Sequence, residues 1–485
     1  MAVDYDLVVI GSSRAGIDAA KSAAVLQARV ALVTQCDELF LPNDTLFNCS
    51  ISEVGQFNDR LATNPFAVTS DTETLSLTQA IDWARGIDST MQKGDNSLAN
   101  LAALGVDVIA GKGEFYRLPH LGFAVANRQL RSRNYLLATG VNYVPRFLGA
   151  DSTDNYLTLR ELSDRNLPTL GSNLIVVGSN PMALELAQTL ARFEKEVTLI
   201  VEQPRILPHE DLDLALLIQA QLEAEGIKIC SNLKVSQIAT LDGQKWLQAG
   251  DRAFNADEII IADYRQPNIA GLNLAGVNVK YDLQRVWVNR KLQTTNPHIY
   301  ACGDLIGGYS LPDLARQEVK IILKNTLFFP WYRINYYALP WAVLTRPNLA
   351  RVGLTERQAR ERYGEDVYAI AQNIRDIARG QVEDRTTGMC KLLVRSDGEI
   401  IGCSLVGDRA GELITVIALM MQHNLRLDPN PMRGITSVSV PTAYPSMAEI
   451  LDACSQSFYQ QKLQGDRGLL NRLRSWFSLR KNWHR

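Results

Sequence analysis

The sequence predicts a multidomain α/β chain with two Rossmann-like βαβ units and a C-terminal α+β domain. Three observations carry this prediction. At 485 residues the chain exceeds what one hydrophobic core supports, and at about 150 residues per domain it divides into roughly three. A strand, glycine turn, helix and second strand occur first over Leu7–Ile10, Gly11–Gly16, Ile17–Leu26 and Val30–Val33. They recur over Leu174–Val177, Gly178, a helix through Arg192, and Val197–Ile200. From about Asn335 the alternation changes to strands near Leu339–Val352, a helix over Glu356–Tyr363, strands near Met389–Val406 and a helix over Glu412–His423.

Composition narrows the function classes. Apolar residues make up 46% and charged residues 21% of the chain, which suits globular cores and excludes a wholly disordered or collagen-like protein. With 50 basic and 52 acidic residues the net charge is -2, so nothing in the global balance draws the molecule to nucleic acid. Seven scattered cysteines include no C-x-x-C pair, so no metal site is expected and reduced thiols in a cytoplasmic compartment are. The start, MAVDYDLVVIG, has acids where an export signal needs bases, and the longest apolar stretch, Leu413–Met421, is far below the ~20 residues of a membrane span.

The first unit opens on Gly11-Ser12-Ser13-Arg14-Ala15-Gly16. In a dinucleotide fingerprint the first glycine makes the turn, the second lets a pyrophosphate approach the backbone and the third lets helix pack on strand. Ser13 stands at the second position and adds one small side chain, so phosphate binding at the helix N-terminus survives. Thr34 ends the second strand where an acid usually meets the ribose. A helical, polar stretch from about Asn58 to Leu104 and short strands around Asp107–Ala126 elaborate this domain.

The second unit, Gly178-Ser179-Asn180-Pro181-Met182-Ala183, keeps the first glycine, loses the second and has alanine at the third. It is the poorer pyrophosphate site. Glu202 follows its closing strand and suits ribose hydroxyls, while Arg205 suits a 2′-phosphate, so NADH and NADPH both stay open. A Rossmann domain that binds no nucleotide is an equal reading of this unit.

As a set, YDLVVIGSSRAG, Leu136–Gly140 (LLATG), the second unit with Glu185 in its helix, Arg265-x-Pro267-Asn268, TTNPHIYACGD ending at Asp304, Pro340–Glu356 and Pro441–Glu449 resemble the FAD-dependent pyridine nucleotide-disulfide oxidoreductases. This is the group of dihydrolipoamide dehydrogenase, glutathione reductase and mercuric reductase. The resemblance runs from Tyr5 to about Ser457. It implies an FAD domain over 1–150 and 286–334, an NAD(P)-like domain over 151–285, a dimerisation domain over 335–460 and a homodimer. It also implies FAD contacts at Gly11, Ser13, Arg14, Gly16, Thr34, Thr139, Gly140, Gly303 and Asp304. Nicotinamide contacts fall at Gly178, Ala183, Glu202 and Arg265, and Glu185 lies beside the transfer site. A carboxylate such as Asp304 accepts two hydrogen bonds from a sugar at once; the alternative is that it caps a helix starting near Leu305.

Three departures bear on the chemistry. The family's C-x-x-x-x-C redox pair is absent, since Cys36 and Cys49 lie thirteen apart and no lysine follows. The partner-subunit His-Pro-Thr-x-x-Glu becomes Tyr444-Pro445-Ser446-Met447-Ala448-Glu449, and a phenol of pKa ~10 does not shuttle protons near neutrality as imidazole does. Tyr444 and Glu449 are the residues left at the catalytic positions, with Glu449 read either as a Tyr444 partner or as a helix-start acid. Finally, Ala262-Asp263-Tyr264-Arg265 places a tyrosine where the family has glycine, either filling the cofactor groove or gating it. Cys49 as a single peroxidatic thiol is a further, weaker reading.

Residues 461–485 form a basic tail. From Arg467 to Arg485 it carries six basic residues and no acid, and at helical spacing Leu469, Leu470, Leu473, Trp476, Phe477 and Trp483 share a face. That pattern suits an anionic membrane surface, a partner groove or packing on the protein's own dimer. The function expected is electron transfer from NADH or NADPH through FAD to an unknown non-thiol acceptor. The rival is a non-catalytic, FAD-binding or empty scaffold of the same descent.

Overall fold

The computed structural model describes residues 3–34, 44–62, 74–93, 97–144, 155–163, 170–308, 311–427, 443–465 and 467–481. Cys36, Pro441 and Thr442 of the C-terminal motif, and Trp483 and Arg485 of the tail lie outside these residues. The chain divides into two compact units, one of 1–207 and 222–335, the other of 208–221 and 336–485.

Within the first unit a parallel sheet runs in the order Ile299–Ala301, Ser132–Leu137, Tyr5–Ile10, Val30–Thr34, Asp107–Ala110. Its apolar runs are buried on both faces, as parallel strands require. Val8, Ile10, Val33, Tyr135 and Ile299 form the core beneath it, joined by Phe115 and Phe123, whose rings meet edge to face at 5.0 Å. The helix Arg14–Val25 starts at Ser13, whose Oγ accepts from Gly16 N at 3.3 Å. Gly11 must be glycine: its φ is +108°, and a Cβ there would stand 2.4 Å from the Ala138 carbonyl oxygen.

A second parallel sheet in the same unit has the order Lys228–Cys230, Glu196–Ile200, Asn173–Val177, Glu258–Ile261, Leu157–Thr158. The helix Pro181–Arg192 follows its glycine turn, with proline in the first turn and Asn180 as its cap. The polar stretch after the first unit begins its helices earlier than the sequence pattern suggested, at Asp44–Ala62, Leu77–Lys93 and Leu98–Ala103. The Asp44–Ala62 helix packs against Pro181–Arg192.

The second unit is built on an antiparallel sheet, in the order Trp341–Val343, Asn348–Gly353, Ile400–Gly407, Met389–Val394, Tyr368–Asn373. The helices Ala410–Gln422 and Glu449–Gly465 cover it through Ile414, Ile417, Ile450, Leu451 and Phe458. Glu356–Tyr363 is helical as its spacing predicts, with a Thr355 capping box. The tail helix Arg467–Lys481 shows Trp476, Phe477 and Leu479 to solvent. No helix of the described residues is long and apolar enough to cross a membrane.

Candidate cofactor and active site

In a parallel sheet all strands end at one edge, and ligands bind outside those carboxyl ends. The first sheet therefore brings four separated segments together: the Gly11–Gly16 turn, Thr34, Thr139–Gly140, and Gly303–Asp304. Ser12, Thr34 and Thr139 are buried here, and their hydroxyl oxygens have no hydrogen-bond partner among the described residues. Orphaned buried hydroxyls cost about 1–3 kcal/mol each unless something meets them. With the two glycines keeping Cβ atoms out of the turn, this edge fits the sugar and pyrophosphate of a dinucleotide such as FAD. Arg14 pairs with Asp18 at 3.3 Å on the outer face of its helix.

Asp304 lies inside the short 3₁₀ turn Gly303–Ile306, whose cap is Cys302, so it caps no helix at Leu305. Gly303 holds φ +69° and its N–H donates to the buried Glu318 carboxylate at 2.7 Å. Glu318 thus fixes the turn that presents Asp304. It escaped sequence reasoning because it belongs to the following helix, and only folding brings it back. Arg265 is 3.7 Å from Asp304 and also donates to the Gly308 carbonyl.

A cavity of about 880 Å³ runs from the second glycine turn to this point, lined by Gly178, Glu202, Asp263, Tyr264, Arg265 and Asp304 among others. The second turn meets its own polar needs. Asn180, standing where the fingerprint has its second glycine, accepts from Ala183 N at 2.9 Å and donates to the Ala262 carbonyl. The Asp263 carboxylate takes the Ser179 N–H at 3.2 Å, placing negative charge where a pyrophosphate would approach. Asp263 was missed in the sequence, although an acid in the A-x-G-R slot was visible.

Tyr264 has φ +62°, so it keeps the left-handed backbone for which glycine is suited. Its ring packs against the second sheet's core and its hydroxyl hydrogen-bonds Glu202. Burial first, then the Glu202 and Asp263 charges, push the phenol well above its ordinary range, so it remains a donor throughout the physiological pH range. Arg205 donates to the Leu207 carbonyl at 2.9 Å and does not line the cavity.

Glu185 is buried where the helices Asp44–Ala62 and Pro181–Arg192 meet, and accepts from Asn48 Nδ2 at 3.1 Å. Asn48 was not legible in the sequence, because the pair is 137 positions apart. Cys49 follows it in the second turn of its helix, not at the N-terminus. Burial, with the nearby Glu53 and Glu185 charges, raises its thiol pKa, the opposite of an activated cysteine. We expect iodoacetamide to alkylate Cys49 more slowly at pH 7 than it alkylates free cysteine, and Cys49→Ser to leave flavin reduction rates within twofold of the parent. A faster reaction than with free cysteine contradicts the raised pKa.

Tyr444 and Glu449 lie in the second unit. Tyr444 is 81% exposed, and Glu449 accepts from Ser446 N at 2.6 Å at the start of its helix, so the helix-start reading of this acid describes the observed bond. The six described cysteines are free, and no cluster among the described residues could hold a metal ion.

A family model described as pyridine nucleotide-disulphide oxidoreductase matches residues 5–319, and one for the dimerisation domain of the same group matches 339–451. The chain is 29% identical over 471 residues to a mercuric reductase of Staphylococcus aureus, covering 94% of this chain and 82% of that one. It is 28% identical to a dihydrolipoyl dehydrogenase of Bacillus subtilis, covering 87% and 93%. The crystal structure of LpdA from Mycobacterium tuberculosis superposes with a TM-score of 0.81 at 24% identity, over 93% of this chain and 99% of that one, and shares the fold.

Proposed function

The chain belongs to the pyridine nucleotide-disulphide oxidoreductase family, and from that premise we propose that it is an FAD-dependent oxidoreductase that takes electrons from NADH and passes them to a non-thiol acceptor. FAD held at the first sheet's edge would supply two-electron chemistry, linking a hydride donor to a quinone, a small electrophile or a protein partner as acceptor. The observation that carries the reading is one cavity lined by both Glu202, an acid suited to ribose hydroxyls, and Asp304 at the first sheet's edge. Ser12, Thr34, Thr139 and Asp304 would hold the flavin's sugars and pyrophosphate, and Glu318 sets the turn of Asp304. Glu185, oriented by Asn48, lines the transfer region. The absence of the C-x-x-x-x-C pair from the sequence and the raised pKa of the half-buried Cys49 thiol support electron transfer without a redox disulfide. The dimerisation domain supports a homodimer.

Glu202 in the cavity favours NADH, because a 2′-phosphate would meet that carboxylate, while the Arg205 guanidinium is turned to the Leu207 carbonyl outside it. Anaerobic mixing is expected to bleach the flavin at least tenfold faster with NADH than with NADPH at equal concentration. Equal rates, or faster NADPH, would overturn this preference. A second reading is supported by Asp263 and Tyr264, which spend the nucleotide's contacts within the protein: a flavin-binding scaffold that no nicotinamide reduces.

A further inference from the structure

Immediately after the Pro312–Leu327 helix the chain reads Phe328-Phe329-Pro330-Trp331-Tyr332-Arg333. A run this apolar belongs in a core, yet Phe328 is 60%, Phe329 58% and Trp331 72% exposed. The loop is not loosely held. Asn325, itself buried, donates to the Lys291 and Tyr332 carbonyls at 3.1 and 2.9 Å and accepts from Tyr332 N at 2.9 Å. Trp331 N donates to the Phe329 carbonyl at 2.8 Å, Ile334 N to the Arg290 carbonyl at 2.8 Å, and the Phe329 and Trp331 rings stack at 4.7 Å. These hydrogen bonds thus fix a turn whose outward face is aromatic, an arrangement that costs solvation and gains nothing within this unit.

The charges on the loop's own stretch and on the stretch that holds it are basic. Lys320, Lys324 and Arg333 lie on its own stretch, which has no Asp or Glu between Glu318 and Glu356. Arg290 and Lys291 lie on the neighbouring stretch, which has none between Asp282 and Asp304. The Lys324 ammonium sits 5.0 Å from the Tyr332 ring centroid. The nearest strand contributes Arg133, which faces Asp6 at 3.9 Å, an acid that Arg29 also binds. Aromatic side chains flanked by lysine and arginine are what the headgroup layer of an anionic bilayer accommodates: the rings enter the interface and the cations meet lipid phosphates.

We infer that the 328–333 loop is a docking surface for an anionic lipid bilayer. The inference stands apart from the redox reading, since it needs neither flavin nor nicotinamide. The exposed basic tail helix, with Trp476 and Phe477, is a separate element of the same chemistry, and two attachments are what stable peripheral binding requires when each is weak.

The test is co-flotation of the full chain with vesicles of phosphatidylglycerol and phosphatidylcholine in equal parts, against phosphatidylcholine alone, in low salt. The parent is expected to bind the anionic vesicles. Phe329→Ser with Trp331→Ser, both at exposed positions, lowers the partition coefficient at least tenfold, and Lys324→Gln lowers it about fivefold on anionic vesicles only. Trp476→Ser with Phe477→Ser separates the tail's share, because the loop's loss persists in that background. Absence of parent binding, or binding unchanged by the loop substitutions, overturns the inference. So does a lipid-free oligomer that the loop substitutions disperse, since the face would then be a contact between copies.

Discussion

Tyr264→Gly lowers the NADH concentration needed for half-maximal flavin reduction by at least tenfold. If Tyr264 gates the groove, a nucleotide entering the parent displaces a ring packed on the second core and breaks its hydrogen bond to Glu202. Releasing a buried aromatic costs roughly 1.5–3 kcal/mol and the hydrogen bond roughly 0.5–1.5 kcal/mol, while a tenfold change in affinity needs only about 1.4 kcal/mol. The substitution removes that cost from binding by making the open state the resting one. Stability falls. Glycine relieves an L-residue at φ +62°, worth roughly 1–2 kcal/mol, but gives up the ring's burial and its hydrogen bond, together roughly 2–4.5 kcal/mol, and frees the unfolded chain, so the variant's melting temperature drops. Because the phenol titrates far above neutrality, the parent's NADH response is expected to be flat between pH 6 and pH 8 as far as this group is concerned. An unchanged midpoint in Tyr264→Gly contradicts the gating role and leaves Asp263 as the obstacle.

Asp304→Ala strips the protein of flavin. A charge-assisted hydrogen bond contributes roughly 1.5–3 kcal/mol, and Asp304 is placed to make two, so FAD affinity should fall by about a hundredfold or more. The readout is flavin content after gel filtration, with the melting temperature of the apoprotein as a check on folding. Asp304→Asn, which keeps the shape and an acceptor oxygen, retains an intermediate share. If Asp304 serves only to balance Arg265, 3.7 Å away, the alanine variant keeps its flavin and loses stability instead. That outcome contradicts the site.

What the sequence disclosed was local. Gly11 and Gly16 announce themselves because a turn, a helix N-terminus and a close strand contact fall within six letters, and the Glu356–Tyr363 helix because its cap and spacing are contiguous. The motif at Asp304 is legible for the same reason. Contacts between distant segments were hidden: Asn48 reaches Glu185 only after two helices pack, and Glu318 reaches Gly303 only after a loop and a helical turn. Asp263 and Tyr264 could be read as departures, but not that one occupies the Ser179 N–H and the other takes a left-handed backbone. Nor does FFPWYR declare itself as surface. The Asn325 clamp and the Ile334–Arg290 bond hold that apolar run outward.

The central claim is a flavin reducible by nicotinamide without a disulfide in line, and electron counting tests it. One NADH carries two electrons and one FAD accepts two, so an anaerobic titration followed by the flavin's visible absorbance should bleach fully at one NADH per flavin. A requirement for two equivalents would reveal a redox disulfide that the account denies. A spectrum left intact by excess NADH would contradict the oxidoreductase itself and leave the scaffold.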